Sequence, residues 1–89
     1  MNVPQVQDHA HALKVYREQT EIGTSDIMAI FGVSETTARR LKKAAQERMA
    51  EKKVQSFNAY MVNVETAFET WGIDVRKLER AVKAGGGGR

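Results

Sequence analysis

Apolar residues recur along this chain at helical spacing, and strand-like alternation is nearly absent. A first helix is expected from about Gln5 to Gln19, with Val6, Ala10, Leu13 and Tyr16 along one face. Pro4 suits its entrance, because the N–H that proline lacks would have had no intrahelical partner there. Gly23 interrupts the pattern. Thr24 or Ser25 then caps a second helix by accepting a bond from an unpaired backbone N–H, with Asp26 near the positive end of the helix dipole. Ile27, Ile30 and Phe31 share a face of this short helix, which stops at Gly32. Ser34 is the next cap, flanked by Val33 and Ala38 as a small apolar staple. Ala38, Leu41, Ala45 and Met49 then mark the buried stripe of a third helix reaching about Lys53.

Val54 to Val62 has no clear period. Phe57 and Tyr60 are expected to drop into the core from an irregular connection or a short helix, with a small β-wing as the open alternative. Asn63 reads as a further cap, with Val62 and Ala67 as its staple pair, and Val64, Ala67, Phe68 and Trp71 follow at i, i+3, i+4 and i+7. Gly72 ends that helix and Asp74 caps another, with Ile73 stapled onto Leu78. Val75, Leu78 and Val82 face inward on it. The expected fold is all-α: a compact bundle of about five short helices, forming one domain over residues 1–84. The ends, Met1 to Pro4 and the glycine-rich tail at 85–89, are expected to be flexible and to bury nothing.

Composition narrows the setting. A chain of 89 residues buries only about 60% of its unfolded surface, so its stability is modest. There is no cysteine, which removes disulfides and thiolate zinc sites and makes a cytoplasmic location the simplest expectation. No apolar run approaches the length of a membrane span or signal peptide. The net charge of +3 matters less than its placement. From Arg39 to Lys53, seven basic residues (Arg39, Arg40, Lys42, Lys43, Arg48, Lys52 and Lys53) stand against only Glu47 and Glu51, whereas Lys14 and Arg17 are balanced by Asp8, Glu18, Glu21 and Asp26. A field concentrated on one element suits a polyanionic partner, although a solvated helix face is the simpler reading of such a run in isolation.

The segment TSDIMAIFGVSETTARRLKK, Thr24 to Lys43, changes that balance. It joins a short helix to a longer one through a glycine that tolerates positive φ, an apolar plug at Val33 and a cap at Ser34. It resembles the helix-turn-helix of small prokaryotic and phage DNA-binding proteins, with G-V-S-x-x-T-A-R-R-L similar to the commonest form of the motif. The likeness covers about 20 of the 89 residues. It departs from the pattern at Met28, where many members carry alanine. The resemblance implies that the second helix lies in the major groove of double-stranded DNA. Ser34, Glu35, Thr36, Thr37, Arg39, Arg40 and Lys43 are its residues not needed for packing. The arginines are placed to bond guanine, the threonines to touch a thymine methyl or a phosphate, and Ser34 and Thr24 to meet phosphate. Plainer roles compete: Ser34 as a cap, Thr37 in the first turn, and Glu35 as an i, i+4 partner of Arg39.

A shift of 40 residues lays FGVSETTARRLKKA over WGIDVRKLERAVKA. One reading is a second such unit, with Arg76, Lys77, Arg80 and Lys83 on phosphate. The simpler one is that any two helices joined by a glycine turn need an apolar-Gly-apolar-cap string. A dimer surface formed by these helices is a third. His9 and His11 point about 200° apart on a helix and cannot share a metal. No nucleophile–base set, phosphate-binding glycine loop or paired carboxylates are evident, so neither catalysis nor a cofactor is expected. The expected function is sequence-specific DNA binding by a transcriptional regulator of bacterial or mobile-element type, acting as a homodimer or cooperative oligomer. An excision factor, a small packaging subunit and a helical protein-interaction module are the alternatives.

Overall fold

The computed structural model describes residues 3–56 and 58–85. In chain order they form α1 (His9–Glu18), β1 (Glu21–Ile22), α2 (Thr24–Phe31), α3 (Glu35–Lys52), β2 (Val62–Asn63), α4 (Val64–Trp71) and α5 (Val75–Lys83). The protein is mainly α-helical, as the periodicity predicts. The addition is one small ladder, in which β1 and β2 run antiparallel with Glu21 opposite Asn63 and Ile22 opposite Val62.

Local chemistry fixes most boundaries. Ser34 accepts from the Thr37 N–H, Asn63 from the Thr66 N–H and Asp74 from the Arg76 N–H, each satisfying a donor that its helix leaves unpaired. Gly32 and Gly72 close α2 and α4 with φ of 64° and 69°, a region where a Cβ is disfavoured. Two starts differ from expectation. Helix α1 begins at His9, not near Gln5, because the Asp8 carboxylate caps it through the His11 N–H at 2.9 Å. The chain before it runs instead across the end of α2, where the Gln7 and Asp8 N–H groups donate to the Ile30 carbonyl at 2.8 and 3.1 Å. Those bonds satisfy a helix-end acceptor and bring Val3 and Val6 onto the core, so the N-terminal arm is not idle up to Pro4. Helix α2 starts at Thr24 itself: the N-cap is Gly23, with no side-chain cap bond, so neither Thr24 nor Ser25 is the cap. The β-ladder runs to Ile22, so the single residue between strand and helix, Gly23, takes the cap position without a side chain to fill it.

Helices α2 and α4 flank α3, and their buried faces meet around Ile27, Ile30, Phe31, Ala38, Leu41, Ala45, Phe68 and Trp71. Trp71 sits edge-on to Phe31 at 5.5 Å between ring centroids and donates its indole N–H to the Leu41 carbonyl at 2.9 Å. Tyr16 of α1 closes the cluster against Phe68 at 5.4 Å. Met28 is half-buried and packs against this core. Gly85 follows α5 with φ of 79°; the rest of the glycine-rich tail, 86–89, lies outside the described residues, as does Phe57.

The 40-residue echo is structural as well as textual. N-caps Gly23 and Asn63, helix ends Phe31 and Trp71, turn glycines Gly32 and Gly72, and N-caps Ser34 and Asp74 all stand at that offset. Residues 40 apart also touch: Ile22 pairs with Val62, and Phe31 packs on Trp71. The two halves thus face each other across an approximate two-fold axis. The symmetry stops at the second cap, where ψ is 165° at Ser34 and 112° at Asp74. Helix α3 therefore lies along α2, whereas α5 swings away from α4 and packs chiefly on α1. The turn is repeated; the helix pair that follows it is not.

Candidate nucleic-acid interface

Helix α3 is amphipathic because its apolar residues keep to one stripe. Ala38, Leu41, Ala45 and Met49 are buried, and the opposite side carries Glu35, Thr36, Arg39, Arg40, Lys43 and Glu47, all exposed. Neighbouring helices cover the stripe and leave the N-terminal half of the opposite face open to solvent. Of the candidate residues, Ser34 and Thr37 serve the cap. The Ser34 hydroxyl accepts from the Thr37 N–H and donates to the Thr37 hydroxyl, each at 3.4 Å. Arg39 is engaged by Glu35 in an exposed i, i+4 ion pair. Arg40 and Lys43 are exposed with no side-chain partner among the described residues. Thr36 is exposed beside them.

The basic run is not uniform along α3. In its C-terminal half, Arg48 and Lys52 both bind Glu69 of α4, at 3.1 and 2.9 Å. Hydrogen bonds from Lys52 and then Arg48 hold the Glu69 carboxyl below its ordinary pKa. That half of the helix is a structural tie to α4. The unneutralised charge lies at Arg40, Lys42 and Lys43, in the first half.

Tyr60 corrects an expectation outright. It is 79% exposed, the one large hydrophobic residue described as exposed, rather than part of the core. The loop before β2 is tied to α3 from outside: the Lys42 ammonium donates to the Tyr60 carbonyl at 3.3 Å and the Gln46 amide to the Ala59 carbonyl at 3.5 Å. The Tyr60 N–H donates to the Asn58 side chain at 2.9 Å. Among its described residues the loop has neither the short helix nor the β-wing considered from sequence; only its end, Val62–Asn63, enters the ladder. Its effect is to stand Tyr60 at one wall of an open groove, with Arg39 and Lys42 of α3 and Thr24 and Ser25 of α2 among the other lining residues.

Thr24 is half-buried and opens α2. With Gly23 supplying no side-chain bond, the first N–H groups of α2 point outward at the partial positive end of that helix. The Asp26 carboxylate, in the first turn of α2 and also lining the groove, lies 3.0 Å from Nε2 of the His11 ring, a pairing that ties α1 to α2. His11 is thereby a joint between helices, and no metal ligation is needed to explain it. The groove gathers the starts of α2 and α3, with Thr24, Ser25, the cations Arg39 and Lys42, the carboxylates Asp26 and Glu35, and Tyr60 along its lining.

Comparison with known proteins adds no identity: no family model matches the chain, and neither a curated protein nor a solved structure matches it.

Proposed function

We propose that this protein binds double-stranded DNA sequence-specifically through the first half of α3, and acts as a transcriptional regulator of bacterial or mobile-element type. The observation that carries this reading is the exposure of Thr36, Arg39, Arg40 and Lys43 on the side of α3 turned away from its buried stripe. A helix with its side chains is about 10–12 Å across, and the major groove of B-DNA is about 12 Å wide. Arg40, with no side-chain partner among the described residues, is the first candidate for a bidentate bond to guanine. Arg39 reaches a base only by leaving Glu35. Lys43, Lys42 and the start of α2 at Thr24 take phosphates, and Tyr60 packs its ring along the sugar-phosphate wall. Ser34 and Thr37 act mainly by fixing the angle at which α3 leaves the turn.

One copy presents one such helix, because α5 folds back on α1. A palindromic target therefore takes two copies, with half-sites about 34 Å apart. Selection from a random duplex pool tests the proposal: the full chain is expected to enrich one short motif, with affinity falling as salt rises. A pool that stays random through successive rounds contradicts sequence-specific binding.

A further inference from the structure

The cations of α5 have no part in the groove just described. Arg76, Lys77, Arg80 and Lys83 are all exposed and have no side-chain partner among the described residues. Arg76, Arg80 and Lys83 stand at i, i+4 and i+7, on one face of the helix. Because α5 lies against α1, that face is joined by Arg17 to line an open cleft floored by Leu13 and Val82. Glu79 is the one carboxylate among the described residues that line the cleft, and it is bound to Arg17 at 2.9 Å. Both partners of that pair are about half exposed, so the bond contributes little and exchanges readily for another anion.

We propose that this α1/α5 cleft is a second phosphodiester-binding surface, which grips the backbone of double-stranded DNA without reading bases. The setting favours backbone over bases, because α5 packs along α1 and its cations line the wall of a cleft between the two helices, where they meet a row of phosphates more readily than the depth of a groove. Long, unpaired cations along one helix face match a run of phosphates, and the apolar floor matches sugar carbons. The cleft shares no lining residue with the α3 groove, so both surfaces are open in the same molecule. It meets either the flank of the duplex held by α3 or a second duplex. The inference rests on the α3 reading only for the class of ligand.

The test uses the full chain, mixed-sequence duplexes of 20 and 60 base pairs, and capture of a labelled duplex by a bead-bound one. The double variant R76E/R80E changes two exposed side chains, and its melting temperature is expected to match wild type. On the 60-base-pair duplex, or in the capture assay, the slope of log affinity against log salt should fall by about two, near 0.9 for each phosphate no longer neutralised. A change confined to the long duplex identifies the flank, and loss of capture identifies a second duplex. An unchanged slope on both duplexes with undiminished capture overturns the proposal. The variant R40A/K43A separates the two surfaces. Residual salt-sensitive binding that R76E/R80E then removes supports the cleft whatever becomes of α3, whereas binding abolished by R40A/K43A and untouched in R76E/R80E leaves only α3.

Discussion

Replacing Trp71 by alanine is expected to lower the melting temperature by at least roughly 12 °C, at about 4 °C or more for each kcal/mol removed from a domain of this size. Trp71 is 4% exposed and is shared by both halves of the molecule. Its ring packs edge-on against Phe31 and, at 6.2 Å, against Phe68, while its N–H reaches the Leu41 carbonyl in the middle of α3. Truncating a buried aromatic to alanine costs about 3–5 kcal/mol, because the cavity closes only in part. A chain of 89 residues has about 4–13 kcal/mol in total, so a large share of its stability goes with this one ring. Trp71→Phe keeps the ring packing and removes the indole bond, and it should melt between the two. Thermal unfolding followed by circular dichroism reads both variants. A Trp71→Ala protein that melts with wild type would mean that α4 does not pack on α3 in this way.

The second large effect belongs to Gly32. At φ of 64° a β-branched side chain is a genuine outlier, and an ordinary L-residue already costs about 1–2 kcal/mol there. A Cβ on Gly32 would also stand 3.2 Å from Cγ of Gln7, in the arm that crosses the end of α2. Gly72 is the natural control, since it has the same left-handed backbone but nothing within 4 Å of its Cβ position. Both Gly32→Val and Gly72→Val should destabilise the protein. Gly32→Val should do more, and it alone should impair the proposed DNA binding, because its turn aims α3. Equal melting temperatures for wild type and Gly32→Val would contradict the turn geometry.

What could be read from the sequence was local. Ser34, Asn63 and Asp74 cap the helices that follow them because a short polar side chain reaches its own first turn, whatever the rest of the chain does. Gly32 and Gly72 are equally local. The misreadings share a different cause, which is competition from residues distant in sequence. Gln5 to Gln7 have helical periodicity, yet the Ile30 carbonyl draws that arm across α2 and Asp8 starts the helix later. Tyr60 has the composition of a core residue, but Lys42 and Gln46 hold its loop on the outside of α3. The strands are two residues each, too short for alternation to appear, and nothing read from the sequence paired Ile22 with Val62. Charge was misleading in the same way. The run to Lys53 looks continuous in sequence, but Glu69 of another helix engages Arg48 and Lys52 in its second half.

The candidate site was legible as a helix face but not as a groove. Arg40 and Lys43 emerge from the spacing of Ala38, Leu41 and Ala45 alone. The plainer roles weighed from sequence hold, since Glu35 engages Arg39 at i, i+4 and Ser34 bonds Thr37 in the first turn, whereas the placing of Tyr60 near Arg39 is a tertiary fact.

Base preference of Arg40→Ala, measured by competition between the selected duplex and its single-base variants, probes the role of α3 most directly. If this guanidinium reads a base, the variant stays folded and binds the preferred duplex about 1–3 kcal/mol more weakly, while nearly ignoring a change at one position. An equal weakening on every duplex, or none at all, would show that α3 does not read sequence through Arg40.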